Sequence, residues 1–270
     1  TRAADDDAAI KRAVFEAAQA AGENVTPAEV GRRAAAIVKS REIERSLDAL
    51  RAAGAEAIYE QADITSAADV ARAVKRTRER FGPVTGVVHG AGVIADKRLA
   101  EKTDDQFDRV YSTKVDGMAA LLEATADQPL HTLVAFSSIA ARSGNVGQVD
   151  YAAANETLAA MCEREAARRG DGFVAKALCW GPWRGGMVDD ALAAHMAARS
   201  IALIEPEQGA RWFVQEELEQ TPRSRVVALG APPGSGALGE RPVYPVAIPL
   251  RRFETPWLDD HRIAGQRVLP

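Results

Sequence analysis

The sequence predicts an α/β fold with a parallel sheet covered on both faces. Two observations carry this. Short apolar runs rich in β-branched residues alternate with amphipathic helical segments, and strands buried on both faces read as continuous apolar runs. The connections between those runs are long enough for right-handed helical crossovers, which join parallel strands.

Taken in order, residues 5–55 read as two helices. The second (GRRAAAIVKSREIERSLDALRAAG) is strongly charged, and its start is marked by Thr26, Pro27 and Glu29: a capping hydroxyl, a proline at the first helical position, and a carboxylate three residues on. Residues 56–63 (EAIYEQAD) read as a strand, and Thr65 and Ser66 open the helix AADVARAVKR. A strand over 84–92 (VTGVVHGAG) follows, then a helix opened by Thr103 and Gln106 that carries Lys114 among apolar neighbours in VYSTKVDGMAALL. The run 131–138 (HTLVAFSS) is a strand, RSGNVGQVD a loop, and a helix begins near Asp150. Strands are expected at 173–181 (FVAKALCWG) and 224–230 (SRVVALG), before a Pro- and Gly-rich linker over 231–249.

Composition excludes several classes. Hydrophobic residues make up 47% of the 270 and charged residues 27%, the balance of a globular chain. The net charge of -4, from 34 Lys plus Arg against 38 Asp plus Glu, leaves no basic surplus for nucleic acid. Cys162 and Cys179 have no metal-ligand spacing and suit a reducing cytosol as buried apolar residues. No apolar run is long enough to span a membrane, and TRAADDDAAI is acidic where a signal peptide is basic. No metal, membrane or nucleic-acid partner is expected, and the localisation expected is cytoplasmic.

In open parallel sheets ligands lie beyond the carboxyl ends of the strands. HGAGV (89–93) ends one strand there with two glycines, and Ser137 and Ser138 end the next. Tyr151 and Asn155, four apart, share a helix face. Tyrosine titrates near 10 and needs a nearby cation to act as an acid at neutral pH; the ammonium of Lys114 is such a group. A serine hydroxyl can hold a carbonyl oxygen while a nicotinamide cofactor delivers hydride from the other side. Together these residues describe carbonyl reduction.

The motifs HGAGV, TKVDG, FSSIAARSGNVGQVDYAAANETL and CWGPW resemble the short-chain dehydrogenase/reductases, and among them the ketoreductase domains of modular polyketide synthases and polyunsaturated fatty acid synthases. In most of that superfamily a lysine stands four after the tyrosine. Here that place holds Asn155, and the lysine is Lys114, 37 residues before Tyr151, the arrangement of the synthase-type reductases. The resemblance implies Tyr151 as proton donor, Lys114 as its tuning cation and a ribose contact, Ser138 as carbonyl-orienting group and Asn155 as part of the hydrogen-bond network. It implies a cofactor set of Asp63, His89, Gly90, Ala91, Gly92, Lys114, Tyr151, Gly181 and Pro182, with NADPH as cofactor. Asp96 and Met187 fall at substrate positions. Asp96, with Ser143 where the opposite stereochemical class carries tryptophan, implies a (3R)-hydroxyacyl product. The expected substrate is a β-ketoacyl thioester on an acyl carrier protein, and the expected partners are other domains of the same synthase.

The same resemblance implies a Rossmann-like doubly wound parallel sheet apparently lacking its first two strands, because no glycine-rich phosphate loop precedes residue 56. In the family's sheet order those strands would lie between 56–63 and 84–92, so no ladder is expected between the two runs. WLDDHRIAGQRVLP, with His261, Gly265 and Pro270, resembles the opening of a hotdog-fold dehydratase. The expected organisation is a helical insertion over 1–55, the ketoreductase catalytic domain over 56–230, the linker over 231–249 and a dehydratase start over 250–270. A first residue other than Met fits a piece of a longer enzyme. The alternative expectation is a non-catalytic scaffold, or a fragment that cannot bind cofactor by itself.

Overall fold

A computed structural model describes residues 7–185, 188, 190–198, 201–218, 225–228, 262–263 and 266–267. These fall in two compact units, divided between Gln61 and Ala62.

The first unit is a helical hairpin. Helix α1 (Asp7–Ala20) buries Ile10, Val14 and Ala18 at four-residue spacing, and α2 (Pro27–Ala52) buries Val30 and Ala34. Thr26 caps α2 in a reciprocal box with Glu29. Val38 packs against the same core, and most of the rest of α2 is exposed, as its charge predicts.

The run expected to be a strand at residues 56–63 forms none. A strand exists only through its neighbour, and among the described residues no strand forms a ladder with this segment. The run is apolar enough to pair, but composition cannot supply a partner.

The second unit holds a four-stranded parallel sheet in the order β1-β2-β3-β4: β1 Gly86–His89, β2 Thr132–Ser138, β3 Val174–Trp180 and β4 Arg225–Ala228. Each strand falls inside a run expected from its apolar character. Helix α3 (Ala67–Phe81) precedes β1; α4 (Asp104–Ala124) crosses from β1 to β2 and α6 (Val149–Arg169) from β2 to β3; short α5 (Ala140–Ser143) follows β2, and α7 (Asp190–Ala198) and α8 (Pro206–Leu218) precede β4. Two further two-residue strands, Arg262–Ile263 and Gln266–Arg267, pair with each other.

One core cluster joins Val87, Leu133, Ala135, Ala175 and Ala177 of the sheet to Met118 of α4 and Leu158 of α6. A second joins Val134, Leu178, Trp180 and Val226 to Ile204 and to Trp212 of α8. The two clusters draw on alternate residues of β2 and β3, which is how a strand covered on both faces distributes its side chains. At the second, a Cβ on Gly209 would come within 2.1 Å of the Trp183 ring, so only glycine lets α8 approach.

Candidate active site

Strand β2 is apolar from Leu133 to Phe136 and ends in two buried serines. Ser137 donates to the Asn155 carbonyl at 3.0 Å, tying the strand end to α6. Ser138 Oγ accepts the Ala140 N–H at 3.1 Å and its hydroxyl also hydrogen-bonds the Tyr151 phenol.

Thr103 and Gln106 form the expected capping box of α4. Three turns on, Lys114 is 3% exposed. Its Nζ donates to Phe136 O at 2.9 Å and stands 5.5 Å from the centroid of the Tyr151 ring. Burial pushes the Lys114 ammonium down to about 8. His89, at the end of β1, donates from Nε2 to the Lys114 carbonyl at 2.8 Å. Burial holds its imidazole below the usual histidine range. A Cβ on Gly117 would lie 2.8 Å from Ile64 and 3.3 Å from the His89 ring, so a glycine on α4 is what allows this approach.

Tyr151 sits in the first turn of α6. Burial raises its phenol above the usual value; hydrogen bonding to Ser138 and Asn155 opposes this, and the charge of Asp96 adds to it. Burial therefore outweighs the neighbours, and the group is a protonated phenol at neutral pH. Asn155 donates from Nδ2 to the Tyr151 carbonyl at 2.7 Å, while its Oδ1 is buried with no partner among the described residues.

The structure thus brings Lys114, Ser138, Tyr151 and Asn155 together at the carboxyl end of β2. Gly90, Ala91 and Gly92 follow β1 in an irregular segment, and a Cβ at Gly90 would meet nothing within 4 Å. The Asp63 carboxylate accepts the N–H and hydroxyl of Thr65 at 2.9 and 2.8 Å, ahead of the Ser66 cap of α3. Gly181 is buried beyond β3, and Pro182 O accepts the Ile204 N–H at 2.8 Å. Asp96 is exposed and accepts from Gln148 at 2.8 Å; Ser143 is exposed on α5. Met187 and His261 lie outside the described residues.

One feature escaped the sequence reading. Lys102 and Asp150 form an ion pair at 2.7 Å, with side chains 2% and 0% exposed, directly beside Tyr151. The partners are 48 residues apart, and no local pattern marks either. An aspartate immediately before the tyrosine of a helix's first turn was the only signal available.

A family model described as the KR domain, for ketoreductase, matches residues 23–185. The chain belongs to the KR domain family. A polyunsaturated fatty acid synthase polypeptide of Thraustochytrium is 36% identical over 275 residues, covering 98% of this chain and 10% of that protein. Polyketide synthase PksL of Bacillus subtilis is 36% identical over 61% of this chain and 4% of its own length. The chain thus spans a tenth or less of the curated relatives it matches. A crystal structure of a ketoreductase domain from the bacillaene assembly line is similar with a TM-score of 0.60 and 32% identity, over 68% of this chain and 45% of that one. An N-terminal ketoreductase from the macrolactin assembly line matches with the same TM-score and 27% identity, over 69% and 36%. KR domains of such synthases are oxidoreductases of the short-chain dehydrogenase type, which typically use a nicotinamide cofactor. The residues present fit such a group at its reactive end: a lysine with one hydrogen bond among the described residues and a buried orphan acceptor at Asn155 leave polar capacity for a ligand.

Proposed function

We propose that this chain provides the reacting centre for NADPH-dependent reduction of a β-ketoacyl thioester, carried on an acyl carrier protein, to a (3R)-hydroxyacyl thioester. The observation that carries the reading is the convergence of Lys114, Ser138 and Tyr151 at the end of β2. The nicotinamide, when bound, supplies the hydride that reaches the carbonyl carbon. Ser138 donates its hydroxyl hydrogen to the carbonyl oxygen and holds it. Tyr151 gives its phenolic proton to that oxygen, so the C=O double bond becomes a C–OH single bond, and the phenolate left behind is stabilised by the Lys114 ammonium. Lys114, Tyr151, Asp63, the 89–92 segment, Gly181 and Pro182 would hold the cofactor, and Asp96 and Met187 would face the substrate. The domain scheme inferred from the sequence, with an insertion over 1–55, a catalytic domain over 56–230, a linker and a dehydratase start, belongs to the same proposal.

Tyr151→Phe is expected to lower kcat by about 10²- to 10⁴-fold with Tm unchanged, measured as NADPH consumption with a soluble β-ketoacyl thioester. Undiminished turnover in this variant would overturn the assignment. Chiral analysis that found mainly the (3S) alcohol would overturn the stereochemistry alone.

A second reading, a KR-type scaffold that does not bind the dinucleotide by itself, is favoured by one observation: residues 56–63, which end in Asp63, form no strand. NADPH fluorescence on titration with the chain separates the two. Saturable enhancement supports the reductase, and a flat response supports the scaffold.

A further inference from the structure

We propose that Lys102 is a positioning residue for Tyr151, clamping the first turn of α6 to the loop that bears Asp96. The inference rests on the reductase reading for its meaning but not for its test.

Lys102 reaches two segments at once. Its Nζ donates to the Ala95 carbonyl at 2.7 Å and to Asp150 Oδ2 at 2.7 Å. The other oxygen of Asp150 accepts the Tyr151 N–H at 2.9 Å. One buried ammonium therefore links the residue before Asp96 to the residue before Tyr151, and the carboxylate between them passes the constraint to the tyrosine backbone. Two other ties run the same way, from Lys97 N–H to the Gly147 carbonyl at 3.0 Å and from Gln148 Nε2 to Asp96 Oδ2 at 2.8 Å. Both lie nearer the surface, where water competes for the same atoms.

A helix start does not require such a device. Removing two charges from water costs free energy that their attraction does not always recover, and an apolar pair of the same size often packs as well. What an apolar pair cannot do is bond the Ala95 carbonyl and the Tyr151 N–H simultaneously. The ion pair is the arrangement that fixes loop, helix and tyrosine in one register.

The charged and titratable groups near Tyr151 are Lys114 from α4, Asp96 from the 90–103 connection, Asp150 from its own helix with Lys102 paired to it, and His89 behind the Lys114 carbonyl, while Arg142 of α5 and Glu156 of α6 pair with each other. Among them Asp96 acts on the phenol through a loop that only tertiary contacts hold. If Lys102 sets the place of that loop, the influence of Asp96 on Tyr151 must depend on Lys102.

The test follows the titration of Tyr151, replaced by fluorotyrosine, by fluorine NMR in the full chain. Asp96→Asn is expected to lower the phenol's midpoint in the otherwise unchanged chain. In a Lys102→Met background the same substitution is expected to shift it by less than half as much, and Lys102→Arg is expected to restore the shift. Should Lys102→Met fail to fold, Lys102→Met with Asp150→Asn removes the lone buried carboxylate and is expected to show the same loss. An equal Asp96→Asn shift in every folded background would overturn the proposal. NADPH turnover is measured alongside: a chain that never reduces ketones defeats the reductase reading while the titration still decides this one.

Discussion

Lys114 and Lys176 are both nearly fully buried beside the same sheet, yet their surroundings differ in kind. Lys176 stands in the middle of β3, 1% exposed, and meets Glu216 of α8: its Nζ bonds the Glu216 carbonyl and lies 3.3 Å from the carboxylate. Lys114 has a carbonyl and an aromatic ring but no carboxylate partner among the described residues. A lysine compensated by an acid is a fastener, here pinning α8 to the sheet. A lysine buried without one is a folding liability, and on the proposed reading it is kept to meet negative charge that develops on Tyr151.

The difference can be broken by substitution. Lys176→Met is expected to destabilise the chain by about 3–5 kcal/mol, because it leaves Glu216 buried and uncompensated; urea denaturation measures this, and adding Glu216→Leu should recover most of it. If Lys176→Met proves neutral, the contrast between the two sites fails.

Lys114→Met should do the opposite to stability. The folded Lys114 titrates at about 8 and the unfolded one near 10.5, so between those values the unfolded chain binds more protons and stability rises with pH. Below about pH 8 the wild type carries the full cost. Lys114→Met is therefore expected to gain up to roughly 3 kcal/mol at neutral pH, a gain that fades as pH climbs toward 10.5, while NADPH-linked turnover falls. Paired denaturation curves at pH 7 and pH 10 read the difference. The smallest effect sharpens the same point: Thr103→Ala removes the cap of the helix that delivers Lys114 and is expected to cost about 1 kcal/mol, seen as a lowered Tm.

Much of this was legible beforehand, for reasons that differ by element. Strands β1 to β4 could be read because both their faces are covered, and the run of apolar residues reports that directly. Thr26, Ser66 and Thr103 could be read because a cap is a local bargain between one side chain and the next turn. That Lys114 and Tyr151 lie close together could be expected because carbonyl reduction needs a cation near a phenol, and the Lys114 Nζ does stand 5.5 Å from the Tyr151 ring centroid; their catalytic roles belong to the proposal. Residues 56–63 misled because a strand's propensity says nothing of whether a neighbour is present to pair with. The Lys102–Asp150 pair was invisible because its members meet only through the fold. Lys176 had left a trace: a lone lysine inside FVAKALCW, on a strand buried on both sides, demands an acid somewhere on the covering helices.

The bond from His89 to the Lys114 carbonyl has a spectroscopic consequence. A carbonyl can only accept, so the ring must carry its hydrogen on Nε2, and burial keeps the other nitrogen from taking a second one. That imidazole hydrogen is shielded from solvent exchange for as long as β1 and α4 stay joined. In a nitrogen-edited spectrum it would mark a single tautomer, and its rate of exchange with deuterium would time the opening of the joint behind the lysine, with no ligand and no turnover required.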